Sequence, residues 1–130
     1  MAYNTNLADR IRVYLAAITA LQIEEKSMFS GLAFMVNGKM CINVSGENMM
    51  CRFDPQLQEE IAEKRGFHPM IMKGKALDGY CYVSPDGFKT KKEFEFWVKL
   101  CLSFNEKAVS SKKKTYKVAE VYVIVLQPFY

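Results

Sequence analysis

A single histidine, His68, and four widely spaced cysteines, Cys41, Cys51, Cys81 and Cys101, are all the imidazole and thiol chemistry the chain has. No two cysteines form a C-x-x-C pair, so the paired ligands of a structural zinc site are missing. There is no G-x-G-x-x-G, no G-x-x-x-x-G-K-[ST] and no G-x-S-x-G, which removes the common phosphate loops and the nucleophile elbow of hydrolases. No uncharged apolar run approaches the ~18 residues of a membrane span. The first residues lack the basic-then-apolar pattern of a secretory signal. These absences predict a cytoplasmic protein with reduced thiols, no membrane contact, no metal and no cofactor.

What is present is an ordinary globular mixture. The 130 residues are 50% hydrophobic and 25% charged. A chain of this length buries roughly two-thirds of its unfolded surface and needs no staple to fold. The net charge of +4 is unevenly placed: nine lysines face three acids between Lys89 and Lys117, leaving the remainder acidic. A local basic excess of this size attracts polyanions without identifying one.

The periodicities predict a helix from Asn4–Asn6 to Leu21, capped at Asn6, with Leu7, Ile11, Leu15 and Ile18 as one apolar stripe and Asp9, Arg10 and Arg12 away from it. A three-strand meander follows from Lys26 to Phe53. Its centre is Asn37-Gly38, a two-residue turn in which both residues must accept positive φ. Continued from that turn, the register puts Gly31, Ala33, Met35, Met40, Ile42, Val44, Met49, Cys51 and Phe53 on one face. Leu32, Phe34, Val36, Lys39, Cys41, Asn43, Met50 and Arg52 take the other. The first face is the apolar one a helix layer covers, and Cys41 and Cys51 fall on opposite sides.

A second helix starts at Asp54-Pro55, with Leu57 and Ile61 inward, and ends at Gly66. Two short strands follow, at Met70–Met72 and Tyr80–Val83. The third helix opens at Thr90, where Glu93 three residues on completes a capping box worth about 1 kcal/mol. Phe94, Trp97, Val98, Cys101, Leu102, Asn105 and Ala108 mark its inward side. The expected domain spans 1–109. A lysine-rich link and an apolar strand occupy 110–130, packed on the same domain or on a partner subunit. The expected fold is α+β: a two-layer sandwich, an antiparallel sheet with helices mainly on one face, in the order α-β-β-β-α-β-β-α plus a C-terminal strand.

Candidate chemistry is sparse. His68 beside a cysteine would make an acid–base and nucleophile pair, yet no local signature orients one. Glu59, Glu60 and Glu63 occupy the solvated side of the second helix. Lys91, Lys92, Lys112, Lys113 and Lys114 flank the third helix and are the candidate nucleic-acid contacts, although Phe94, Phe96 and Trp97 between them sit at core spacing rather than as a stacking surface.

Ala8-Asp9-Arg10-Ile11-Arg12, then Lys26-Ser27-Met28-Phe29-Ser30-Gly31-Leu32-Ala33-Phe34-Met35-Val36-Asn37-Gly38 and Met40-Cys41, resemble the N-terminal domain of the TfoX/Sxy family. Pro69-Met70, Gly74-Lys75, Gly79-Tyr80-Cys81-Tyr82-Val83 and Trp97-Val98 agree with it. The resemblance runs from about Ala2 to Phe104. It implies a fold similar to type III secretion chaperones. Full-length relatives regulate natural competence and DNA-uptake genes together with the cyclic-AMP receptor protein and carry a second, C-terminal domain, where this chain departs from them with its lysine-rich link and apolar tail. The family supplies no catalytic residues to carry over.

These readings lead to a non-enzymatic interaction module. Its contact surface is the mixed sheet face with Phe34, Val36, Met50 and Arg52, its partner a protein such as a component of the transcription machinery. The alternative is weak nucleic-acid binding through the basic region Lys89–Lys117. The apolar C-terminal strand is a candidate homodimer edge.

Overall fold

The computed structural model of the chain describes residues 3–28 and 30–108, and the backbone of two further strands at 114–118 and 121–125. The elements are α1 (Thr5–Ala16), β1 (Ile23–Met28), β2 (Gly31–Val36), β3 (Lys39–Ser45), β4 (Asn48–Arg52), a 3-10 turn (Pro55–Leu57) running into α2 (Gln58–Ile61), β5 (Phe67–Met72), β6 (Lys75–Val83), a 3-10 turn (Pro85–Gly87), α3 (Lys91–Asn105), β7 (Lys114–Val118) and β8 (Val121–Val125). The first six strands form one open antiparallel sheet in the order β1-β2-β3-β4-β6-β5. The fold is α+β, as expected. The buried residues of all three helices join one cluster on one side of that sheet: Leu7, Ile11 and Leu15 from α1, Ile61 from α2, and Phe94, Trp97, Val98 and Cys101 from α3.

Local chemistry explains several boundaries. Asn4, not Asn6, caps α1, its Oδ1 accepting the Leu7 N–H at 2.9 Å. The helix stops at Ala16 rather than Leu21, because the chain must already be extended at Gln22. There the Asn37 side chain accepts the Gln22 N–H at 2.9 Å and the Asn37 N–H donates back to the Gln22 carbonyl at 2.8 Å. Asn37 and Gly38 have φ of 53° and 82°, as the expected two-residue turn requires. Asp54 caps the next helical segment through the Gln56 N–H at 3.0 Å. That segment is a 3-10 turn and one α turn rather than a full helix to Gly66.

Three expectations are corrected. The stretch read as one strand up to Val36 is two, since Ser30 takes a positive φ of 59° and β1 runs back along β2 from Met28↔Gly31 to Ile23↔Val36. The register beyond Asn37-Gly38 also shifts. Val36 pairs with Lys39 and Met35 with Met40, but Phe34 pairs with Ile42, leaving Cys41 as an extra residue in β3. A bulge of this kind reverses the facing of everything beyond it. Leu32, Phe34 and Val36 therefore join the helix-side core with Ile42, Val44, Met49, Cys51 and Phe53. Ala33, Met35 and Met40 go to the opposite face, and Cys41 and Cys51 share the core side.

The third correction is C-terminal. In place of one strand from Tyr116 to Tyr130 there are two, paired from Lys114↔Val125 to Val118↔Val121. They form a sheet of their own and do not extend the six-stranded one.

The constraint on Gly31 comes from β3. A Cβ on Gly31 would stand 2.0 Å from the Val44 carbonyl oxygen, a backbone atom that cannot rotate away. Gly31→Ala is expected to destabilise the protein by about 1–3 kcal/mol, the range for overpacking a rigid site. A lowered midpoint of urea unfolding at constant slope reads this out, and an unchanged midpoint contradicts the close approach.

Candidate interaction site

α1 turns its stripe of Leu7, Ala8, Ile11 and Leu15 into the core. That leaves Arg10, Val13 and Tyr14 on the flank facing the first turns of α3. The start of α3 is fixed by the expected capping box: Thr90 Oγ1 accepts the Glu93 N–H and Glu93 Oε1 accepts the Thr90 N–H, each at 3.1 Å. This presents Lys91, Phe94 and Glu95 to α1. Between the helices lies an open groove of about 500 Å³ lined by Asp9, Arg10, Val13, Tyr14, Lys91, Phe94 and Glu95.

The floor of the groove is apolar and aromatic. The Tyr14 and Phe94 rings meet edge-on, 6.3 Å apart at 78°. The Arg10 guanidinium sits 4.2 Å from the Phe94 centroid and 5.9 Å from that of Phe88, a contact worth roughly 0.5–1 kcal/mol at an exposed position. Val13, 70% exposed, is the most exposed large hydrophobic side chain among the described residues. Charges of both signs ring the floor, with Lys91 Nζ 4.0 Å from Glu95 Oε2. The arrangement suits an apolar side chain entering between charged rims.

The expected contact surface is not one surface. Phe34 and Val36 are fully buried in the helix-side core, where the bulge carries them. Met50 and Arg52 do lie on the opposite face. Met50 is buried, and half-buried Arg52 donates from Nη1 to the Met40 carbonyl at 3.3 Å and stands near the Tyr80 and Phe104 rings. Lys91 and Lys92 are exposed on the first turn of α3. Lys112 and Lys113 and the side chain of Lys114 lie outside the described residues.

Phe94 and Trp97 are buried, as their spacing predicted, but Phe96 is exposed and carries Lys64 Nζ 4.6 Å from its ring centroid. Lys64, Arg65, Lys92, Phe96 and Trp97 border a second groove of about 260 Å³. Sequence periodicity passed over both grooves. The available signal was an apolar Val13 on the polar side of α1; core spacing groups Phe96 with Phe94 and Trp97.

His68 is exposed, its Nε2 3.2 Å from Ser84 Oγ, and the Ser84 hydroxyl donates to Asp86. In this order the serine proton goes to the carboxylate rather than to the imidazole, and the Ser84 hydrogen bond holds Asp86 below the usual carboxylate range. The four cysteines are free and buried. Burial pushes the Cys41 and Cys51 thiols well above their ordinary values, and the neighbouring Cys101 and Cys81 add to it at Cys51, away from the reactive thiolate. Among the described residues no group of three or more His, Cys, Asp or Glu is placed to hold a metal ion.

A family model described as the TfoX N-terminal domain matches residues 14–105 of the 130-residue chain. No curated protein and no solved structure matches it. The matched segment includes Tyr14, Lys91, Phe94 and Glu95 of the larger groove.

The far side of α1 is tied to β1 by a bidentate pair: Arg12 Nε and Nη2 donate to the two Glu25 carboxylate oxygens at 2.6 and 2.8 Å, while Nη1 donates to Asp9. Arg12 draws Glu25 below its ordinary value of 4.5. A depressed folded-state value contributes stability above the unfolded value and loses it as pH falls through the folded one. The pair is partly exposed, so Glu25→Gln is expected to cost at most about 1 kcal/mol at neutral pH. In urea titrations against pH, that difference from wild type is expected to close as pH drops below 4.5; a gap that persists in acid contradicts the assignment.

Proposed function

The chain belongs to the TfoX N-terminal domain family, and from that premise we propose that it is a non-enzymatic interaction module of the competence-regulator kind. Its partner in this reading is a protein of the transcription machinery, met in the cytoplasm. Among the described residues no helix is long and apolar enough to cross a membrane. The observation that carries the reading is the groove between α1 and α3, where Val13 stands 70% exposed above an aromatic floor. Isolated exposed apolar residues are ordinary, but one set in a concave, charge-rimmed site is how an interface anchor is received. The occupant is a bulky apolar side chain on a partner segment whose flanking charges complement Asp9 and Arg10 on the α1 side and Lys91 and Glu95 on the α3 side.

Val13→Asp tests this. The position is exposed, so folding stability is expected to move by only about 0.5 kcal/mol. Recovery of a transcription-machinery protein in affinity capture from the native cell is expected to fall about tenfold, as for a lost anchor. Equal recovery by wild type and variant rejects the groove.

A second reading rests on Phe96, an exposed aromatic side chain in a groove lined by Lys64, Arg65, Lys92 and Glu93, where three cations outnumber one carboxylate 3.7 Å from Arg65. An aromatic face beside cations is what single-stranded nucleic acid stacks on. Three phosphate contacts predict that affinity for a labelled oligonucleotide drops about tenfold or more between about 50 and about 200 mM salt. Absence of any anisotropy change at low salt removes this reading.

A further inference from the structure

The second face of the six-stranded sheet is shielded from solvent, yet the buried apolar residues of α1, α2 and α3 belong to the core on the other side. The pairings Ala33↔Asn43↔Met50↔Tyr82 run in one row across β2, β3, β4 and β6. Ala33 is 0%, Asn43 1%, Met50 3% and Met35 6% exposed. Yet Ala33, Met35 and Met50 stand outside the core cluster to which the buried residues of the three helices belong. A sheet face with nothing upon it does not lose its water. We propose that the β7–β8 hairpin of the same chain lies across this face as a third layer.

The reach and the size agree. The end of α3 is held at the rim of the sheet: Lys39 Nζ donates to the Glu106 carbonyl at 3.5 Å, and Lys107 Nζ is 3.6 Å from Asp54 Oδ2. Phe104 lies against Arg52, a residue of the second face, 5.7 Å from guanidinium carbon to ring centroid. Residues 109–113 separate that rim from β7. Five residues span up to about 17 Å extended, more than the ~10 Å between stacked layers. The row from Ala33 to Tyr82 crosses four strands, about 14 Å, and a five-residue strand is about 17 Å long.

The sequence of the hairpin asks for such a surface. Val121-Tyr122-Val123-Ile124-Val125 is apolar at every position. A lone two-stranded hairpin is marginal in water and gains stability from packing on a third element. Its hydrogen bonds are made within the pair and not with either edge of the large sheet, so a face is what it has left to pack on.

The test uses the full chain with isotope-labelled methionine methyl groups. Nuclear Overhauser contacts from Met35 and Met50 methyls to backbone amide protons of 114–125 are expected at low concentration and at unchanged relative strength on dilution. No such contacts overturns the proposal. Contacts found only between differently labelled copies assign the hairpin to a second molecule, and equally overturn it. Val123→Asp adds a second reading. Peroxide oxidation of Met50 is expected to quicken about fivefold or more towards the rate of exposed Met72, while Met49, its neighbour on the helix side, stays protected. An unchanged Met50 rate counts against the hairpin; where Met49 quickens equally the variant has unfolded, and the wild-type methyl contacts decide.

Discussion

One extra residue in β3 decides which side chains meet the helices. With Cys41 bulged out between the Met35↔Met40 and Phe34↔Ile42 pairs, the large apolar residues of β2 face α1 and α3. Without it they would face away. Phe34, Val36 and Leu32 then complete a layer with Ile42, Val44, Met49, Cys51, Cys81 and Val83. A bulge costs a ladder hydrogen bond and adds twist. Here it converts two strands whose patterns are out of phase into one coherent face. Most of the helix-side core, and the place of the groove above it, depends on that phase.

The layer beneath α3 is tightly bound. Trp97 is buried and donates from Nε1 to the Gly87 carbonyl at 3.0 Å, so its one polar atom is satisfied where it is dry. Gly87 is itself confined, since a Cβ there would come 2.5 Å from the Arg65 carbonyl oxygen. The anchor of α3 thus passes through a crossing of two loops, and the capping box fixes the first turn beside it. The four thiols fill the same layer as small hydrophobes. The raised values of Cys41 and Cys51 follow from dryness and proximity rather than from any arrangement that would activate them.

Much of this was legible in residues whose preference is local. Asn37-Gly38, Asp54-Pro55 and Thr90 with Glu93 each state a backbone conformation within a few positions, and each stands where it was read. The inward stripes of α1 and α3 were legible for the same reason. What escaped were features set by distant partners. The bulge arises from reconciling β2 with β3, not from anything Cys41 announces. The reversal before Gly31 uses Ser30 at positive φ, a residue with no strong bias for it. The pairing of β7 with β8 was not announced either, since the sequence between Val118 and Val121 holds none of the usual turn residues. The α1–α3 groove exists only after two helices 77 residues apart, from Tyr14 to Lys91, are brought together, so its members carry no common motif.

The two sides of the sheet differ in how much they can contribute. The helix side buries Trp97, Phe34, Phe53, Ile11, Leu15 and Ile42 completely. Each large apolar side chain removed from water stabilises the fold by about 1.5–3 kcal/mol before entropy is counted. The second face offers Ala33, Met35, Met50 and Met70 together with Asn43, whose Nδ2 donates to the Met40 and Met50 sulfurs at 3.6 and 3.5 Å and whose Oδ1 has no partner among the described residues. An unmatched buried acceptor costs about 1–3 kcal/mol, offsetting much of what a methionine there contributes. Methionine is also the side chain that adapts most readily to a changed neighbour. The helix-side layer therefore carries the stability of residues 3–108, and whatever rests on the second face rests on a thinner and more forgiving surface.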